Sequence, residues 1–268
     1  MKEFKGKAIY NPSGKAAEYS EWACNLYNGC SAKCEYCYNR HGITAKVLGA
    51  DMPTLKKSLI NEREALLIFQ DELIRNADEI RKHGLFFNFV SDPCLKETYE
   101  LNSRAWFFCD QLDIPVKILT KQTWWLENFF SRIKNNYKLF AIGFTLTGHD
   151  ELEPGAASNL DRIEAMKCLY NAGYKTFASI EPIIDIESSL KMIREACNHV
   201  DLLKIGLQSG KSYTQKELLD FMVKVHNLSE VYGFSIYYKD SILKSAKIDR
   251  SLLSHNCVSR DYNLFTES

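Results

Sequence analysis

The sequence has no net charge, no apolar run long enough to cross a bilayer, no low-complexity linker and no clear internal repeat. Lysine plus arginine balance aspartate plus glutamate at 34 each, so nothing draws the chain generally toward phosphate backbones or anionic membranes. A nucleic-acid partner is therefore unsupported by net charge and would need a local basic groove. The opening segment, MKEFKGKAIYNPSGK, lacks the apolar core of a signal peptide, which sets the expectation of a cytoplasmic protein with no membrane partner. In that compartment the nine cysteines are expected to be reduced, and their odd number argues against a complete disulfide framework. Cys94, Cys109, Cys168, Cys197 and Cys257 are scattered singly, while the others crowd between Cys24 and Cys37. Thiols clustered in a reducing compartment point to metal.

Apolar residues make up 46% of the 268, enough for a substantial core. Short runs rich in β-branched and aromatic residues fall at Leu85–Val90, Val116–Thr120, Phe140–Thr147, Thr176–Ile180 and Leu202–Leu207. An earlier run, Ala23–Tyr27, leads into the cysteines, and Phe234–Tyr238 closes the series. Such continuous runs suit strands buried on both faces of a parallel sheet. Between them, Leu59–His83 and Asn159–Ala172 carry helical periodicity. In the second, Leu160, Ile163, Met166, Leu169 and Tyr170 fall on one stripe, with Gly173 as a stop. Thr214 and Glu217 form a capping box for a helix through about Asn227. The alternation predicts an α/β fold: a partial (β/α)6 TIM-like barrel of parallel strands with outer helices. It spans residues 21–240, after an N-terminal arm over 1–20 and before a C-terminal tail over 241–268.

In such folds ligands lie beyond the C-terminal ends of the strands. The suspects are the cysteine loop, Ser91-Asp92-Pro93-Cys94, Thr120-Lys121, Thr145 to Gly148, Glu181-Pro182 and Gln208-Ser209-Gly210. The cysteine loop reads Cys30-Ser-Ala-Lys-Cys34-Glu-Tyr-Cys37. Three thiolates at this spacing can occupy three corners of an iron–sulfur cubane and leave one iron without a protein ligand. Zinc is the alternative, and its structural sites take four ligands, so Cys24 or His41 would have to complete one.

The C-x3-C-x2-C spacing, with aromatic Tyr36 just before the last cysteine, resembles the signature of the radical S-adenosylmethionine (SAM) superfamily. The resemblance extends from about Trp22 to about Asp240. More loosely, Gly29 to Tyr38, Val90-Ser-Asp-Pro, Ile118-Leu-Thr-Lys and the run from Leu152 through Met166 resemble its spore photoproduct lyase-like branch. The resemblance implies a [4Fe–4S] cluster on Cys30, Cys34 and Cys37. It also implies S-adenosyl-L-methionine chelated to the open iron, an electron donor such as flavodoxin or ferredoxin, and a 5′-deoxyadenosyl radical that takes hydrogen from a substrate. No cysteine cluster follows residue 200, so an auxiliary-cluster domain of the peptide-maturase kind is not expected.

SAM requires partners for its ammonium, carboxylate, ribose and adenine. Ser91 and Asp92 suit the ammonium, although Ser-Asp-Pro also makes an ordinary turn. Lys121 suits the carboxylate, or is a solvated lysine opening the next helix. Thr145 or Thr147 can reach ribose, and Tyr36 is placed to cover adenine. Glu181 either binds a polar ligand or points outward. Cys94 is a candidate hydrogen donor or a buried structural thiol. The lyase-like branch carries a cysteine near this strand tip, whereas here Phe89 and Val90 precede Ser91-Asp92.

Gly206-Leu-Gln-Ser-Gly210-Lys211-Ser212 imitates a phosphate-binding loop, but only three residues separate its glycines where the pattern needs four. Of Trp124 and Trp125, one is expected inside and one on the surface. The leading expectation is a radical SAM enzyme acting on a nucleic-acid lesion or nucleotide, a peptide or a small metabolite. The competing one is a non-catalytic zinc or structural-cluster module associated with nucleic acid.

Overall fold

A computed structural model describes residues 3–41, 45–133 and 136–266. It is an α/β fold of mostly parallel strands flanked by helices, and the chain divides into two compact units. The first holds residues 1–141 with Glu153–Ala156, and the second holds 142–152 with 157–268.

In the first unit, β1 (Ile9–Tyr10) pairs antiparallel with β2 (Trp22–Cys24). A two-stranded antiparallel pair, β3 (Tyr27–Asn28) with β4 (Thr54–Leu55), brackets the cysteine loop in sequence. β2 runs parallel to β5 (Leu85–Phe87), and β5 to β6 (Val116–Thr120). The predicted strand Leu85–Val90 stops at Phe87 because the backbone turns to other partners. The Phe89 amide donates to the Asn25 side chain at 2.8 Å, and the Phe89 and Val90 carbonyls accept from Asn39. β6 keeps its predicted bounds. The core here is aromatic: Phe69, Phe87, Trp106, Trp125, Phe129 and Phe140 form a chain of ring contacts with centroids 5.1–6.3 Å apart, the tilted and edge-on spacing aromatic rings favour. Trp125 is buried within it and Trp124 is 45% exposed, as the doublet led one to expect.

The predicted helix Leu59–His83 is two helices, Glu62–Arg75 and Ala77–His83. At the junction Asn76 donates its side-chain amide to the Glu72 carbonyl at 2.7 Å, a local bond of the kind that competes with helix continuation. The helix Tyr99–Gln111 follows β5.

The second unit contains β7 (Phe140–Thr145, of which residues 142–145 belong to it), β8 (Lys175–Ile183), β9 (Leu202–Leu207) and β10 (Ser235–Tyr238). β8, β9 and β10 are parallel neighbours. Helices Asn159–Asn171, Ile186–Ala196 and Gln215–Tyr232 alternate with them. The capping box of Thr214 and Glu217 is formed, and its helix runs on to Tyr232, where Gly233 closes it with a left-handed φ of 79°. On Asn159–Asn171 the expected stripe holds at Ile163, Met166 and Leu169. Leu160 and Tyr170 are 60% and 41% exposed, and their place inside is taken by Ala165 and the fully buried Arg162. After β10 the chain forms the helix Asp240–Ala246 and returns beside β10, where Ile236 exchanges backbone bonds with Asn256 and Val258.

Gly143 of β7 is bare because a Cβ there would enter the ring of Phe177 on β8. Gly143→Ala is therefore expected to cost about 1–3 kcal/mol through overpacking, read as a lowered urea midpoint.

Candidate metal and cofactor site

The cysteine loop leaves β3 at Gly29, whose positive φ of 81° brings it against the carbonyls of Ala50 and Met52. Cys30 donates its amide to the Ala50 carbonyl at 3.0 Å, and Cys37 returns its own to Cys34 at 3.2 Å. Between these anchors Cys30, Cys34 and Cys37 pack against one apolar patch formed with Ala32 and Leu95, and Tyr36 packs there too. Burial is the main cause raising both the Cys30 thiol, to about 11, and the Cys34 thiol. Against it act the amides of Ala32 and Asp92, which point at the Cys30 sulfur, and the Lys121 ammonium, which favours both thiolates.

The two candidate fourth ligands have other roles. Cys24 is fully buried in β2, with Lys56, Cys109 and Glu72 as its electrostatic neighbours. His41 sets its Nε2 3.0 Å from the Glu35 carbonyl. Among the described residues, no group of three His, Cys, Asp or Glu side chains is gathered tightly enough for one metal ion. A tetrahedral zinc would draw four donors to within about 2.0–2.3 Å of a point. Three thiols on one apolar patch are the soft donor set that cluster irons favour.

Asp92 organises the adjoining strand tips. Its Oδ1 accepts from the Cys94 amide at 2.9 Å and the Thr120 hydroxyl at 2.7 Å, and its Oδ2 accepts from the Lys121 amide at 2.8 Å. Burial raises this carboxyl, while those donors and the Lys121 charge pull it back down. Asp92 thus staples the tip of β6 to the loop beyond β5. Lys121 lies with its Nζ 5.7 Å from the centre of the Tyr36 ring. Cys94 lies fully buried beneath this turn, its thiol pushed far up by burial and by the Asp92 charge.

Three buried polar groups stand at this end of the sheet with atoms that no protein group satisfies among the described residues. They are both amide atoms of Asn88, the Ser91 hydroxyl and the Asn39 Oδ1. Buried polar atoms are rarely left so, and a polar ligand would satisfy them. Sequence reading named Ser91 and passed over Asn88, whose signal was only a polar residue closing an apolar run.

A second residue it passed over is Glu153. The Tyr36 hydroxyl donates to its carboxylate, and two residues on, the Gly155 amide donates to the Ala32 carbonyl at 3.0 Å. The lyase-like run from Leu152 thus begins by strapping itself onto the cysteine loop.

In the second unit, Thr145 is buried and its carbonyl accepts from Arg162 at 2.6 Å, while the Thr147 hydroxyl accepts from the His149 amide at 3.3 Å. Glu181 is neither outward nor alone. The Lys239 ammonium donates to it at 2.7 Å, and Gly206 makes room, since a Cβ there would lie 2.8 Å from the Glu181 carboxyl. Lys239→Met should deprive the part-buried Glu181 carboxylate of this cation, lowering the urea midpoint, and adding Glu181→Gln should recover part of the loss. In the imitation phosphate loop, the Lys211 ammonium donates to the Ile184 carbonyl.

No family model matches the chain. It is 26% identical to an uncharacterised protein of Methanocaldococcus jannaschii over 96% of both chains. Among solved structures it resembles spore photoproduct lyase complexed with dinucleoside spore photoproduct, at a TM-score of 0.65 and 16% identity, over 85% of this chain and 79% of that one. It also resembles SuiB of Streptococcus suis bound to S-adenosylmethionine, at a TM-score of 0.55 and 12% identity, over 87% of this chain and 53% of that one. The chain shares the fold of these two proteins, both of which are radical SAM enzymes.

Proposed function

We propose that the chain is a radical SAM enzyme whose [4Fe–4S] cluster is held by Cys30, Cys34 and Cys37. The observation that carries this reading is the set of three thiols, Cys30, Cys34 and Cys37, gathered on one apolar patch. When bound, cluster and SAM supply reductive cleavage of the sulfonium: one electron from a flavodoxin- or ferredoxin-like donor yields methionine and a deoxyadenosyl radical, which takes a hydrogen atom from substrate.

The protein's own residues bind and shield. Ser91 and Asn88 offer unsatisfied polar atoms to the amino-acid end of SAM. Lys121 supplies a cation for its carboxylate, and Asp92 fixes both strand tips through its protein donors while adding a negative charge for the ammonium. Tyr36 offers a flat apolar face for adenine. Cys94 is a candidate hydrogen donor, though the turn above it would have to open.

Support for a nucleic-acid or nucleotide substrate comes from the likeness to a lyase solved in complex with a dinucleoside spore photoproduct. Anaerobically reconstituted protein, reduced with dithionite and given SAM alone, should form 5′-deoxyadenosine slowly. Protein that carries stoichiometric zinc, takes up no iron and leaves SAM intact would instead be the metal-binding module.

A further inference from the structure

We propose that Glu153 is a positioning residue for the metal centre, acting through Tyr36 and through its own charge. The proposal rests on the cluster reading above and deepens it.

Glu153 is separated from the cysteine loop by more than a hundred residues, yet it is buried against it. Tyr36, the residue between Cys34 and Cys37, donates its hydroxyl to the Glu153 carboxylate. That bond fixes the far end of the ring whose face lies beside the Lys121 ammonium. The backbone that carries Glu153 is locked independently. Gly155 donates to the Ala32 carbonyl at 3.0 Å, and its own carbonyl accepts from the Gln122 side chain at 2.8 Å. A Cβ at Gly155 would lie 2.5 Å from the Ser31 carbonyl and 2.8 Å from the Ala32 Cα, so only glycine permits this approach. Glu153-Pro154-Gly155 is thus a strap tied to the cysteine loop at two points and to the tip of β6 at a third.

Two consequences follow for a bound cluster. The strap holds Tyr36 in one orientation, and the loop with it, as outer-shell partners hold metal ligands elsewhere. The Glu153 carboxylate also lies within electrostatic reach of Cys34, opposed by Lys121. A fixed negative charge beside a cluster resists an added electron, so it makes the reduction potential more negative. A more negative cluster is a stronger reductant of a sulfonium.

Glu153→Gln keeps the acceptor for Tyr36 and removes the charge, whereas Tyr36→Phe keeps the charge and frees the ring. After anaerobic reconstitution, EPR-monitored redox titration gives the midpoint potential, and a chelator challenge gives the rate of iron loss. E153Q is expected to shift the potential to less negative values with iron retained. Y36F is expected to lose iron about tenfold faster than the parent. Should E153Q fail to fold, Y36F decides. A loaded parent whose folded variants match it in both measurements overturns this proposal alone. A parent that takes up no iron overturns the cluster reading, and this proposal with it.

Discussion

Replacing any one of Cys30, Cys34 or Cys37 with serine is expected to abolish SAM cleavage, a loss of at least about a hundredfold in 5′-deoxyadenosine formed. The size of the effect follows from the donor set. On the proposed reading three thiolates would hold three corners of a cubane and leave the fourth iron for the amino and carboxylate groups of SAM, and neither of the neighbouring buried cysteines is free to replace a missing one. Cys24 is enclosed in the core between β1 and β5, and Cys94 is sealed below the Asp92 turn. Each variant should also lose most of its iron on reconstitution. Cys168→Ser is the control: that thiol is exposed on the helix Asn159–Asn171, and its loss should leave iron and product unchanged.

Glu72→Ala is expected to destabilise the protein by about 3–5 kcal/mol in urea unfolding. The carboxylate of Glu72 accepts three consecutive backbone amides, from Lys7 at 2.6 Å, Ala8 at 3.0 Å and Ile9 at 2.7 Å. Gly6 lies so close that a Cβ would sit 2.5 Å from the carboxyl. Lys56 adds its ammonium to the Lys7 carbonyl. Alanine at position 72 strands those amides, with Ala8 and Ile9 wholly buried, and each orphaned donor costs about 1–3 kcal/mol before relaxation. Glutamine should recover only part of the loss, since it turns one acceptor oxygen into a donor facing other donors. Because β1 pairs with β2, and β2 leads into the cysteine loop, iron retention should fall in step with stability.

The strands that sequence reading placed well, Val116–Thr120 and Leu202–Leu207, are those whose side chains are almost all buried on both faces, so composition alone marks them. Leu85–Val90 was read too long because Asn25 and Asn39, distant in sequence, claim the backbone after Phe87. The stripe on Asn159–Asn171 failed at Leu160 and Tyr170 because a buried arginine, satisfied by the carbonyls of Thr145 and Ala157, occupies the inner face. No periodicity could announce that.

At the site, the cysteines were legible because their spacing is local. Asp92 and Lys121 are proposed because they stand at strand ends, where ligands gather in such folds. Their partnership, an Asp92 carboxylate that accepts the Lys121 amide, was not legible. Glu153 was hidden for the same reason: its partner Tyr36 is 117 residues away, and only the fold brings them together.

The proposed function depends on a cluster with one iron left open by the protein, and EPR of the reduced, reconstituted protein tests this directly. Adding SAM should change the g values of the reduced cluster, because on this proposal its amino and carboxylate groups would coordinate the iron that the protein leaves open. A reduced cluster whose spectrum is identical with and without saturating SAM would mean that the corner is closed, and the account would be wrong.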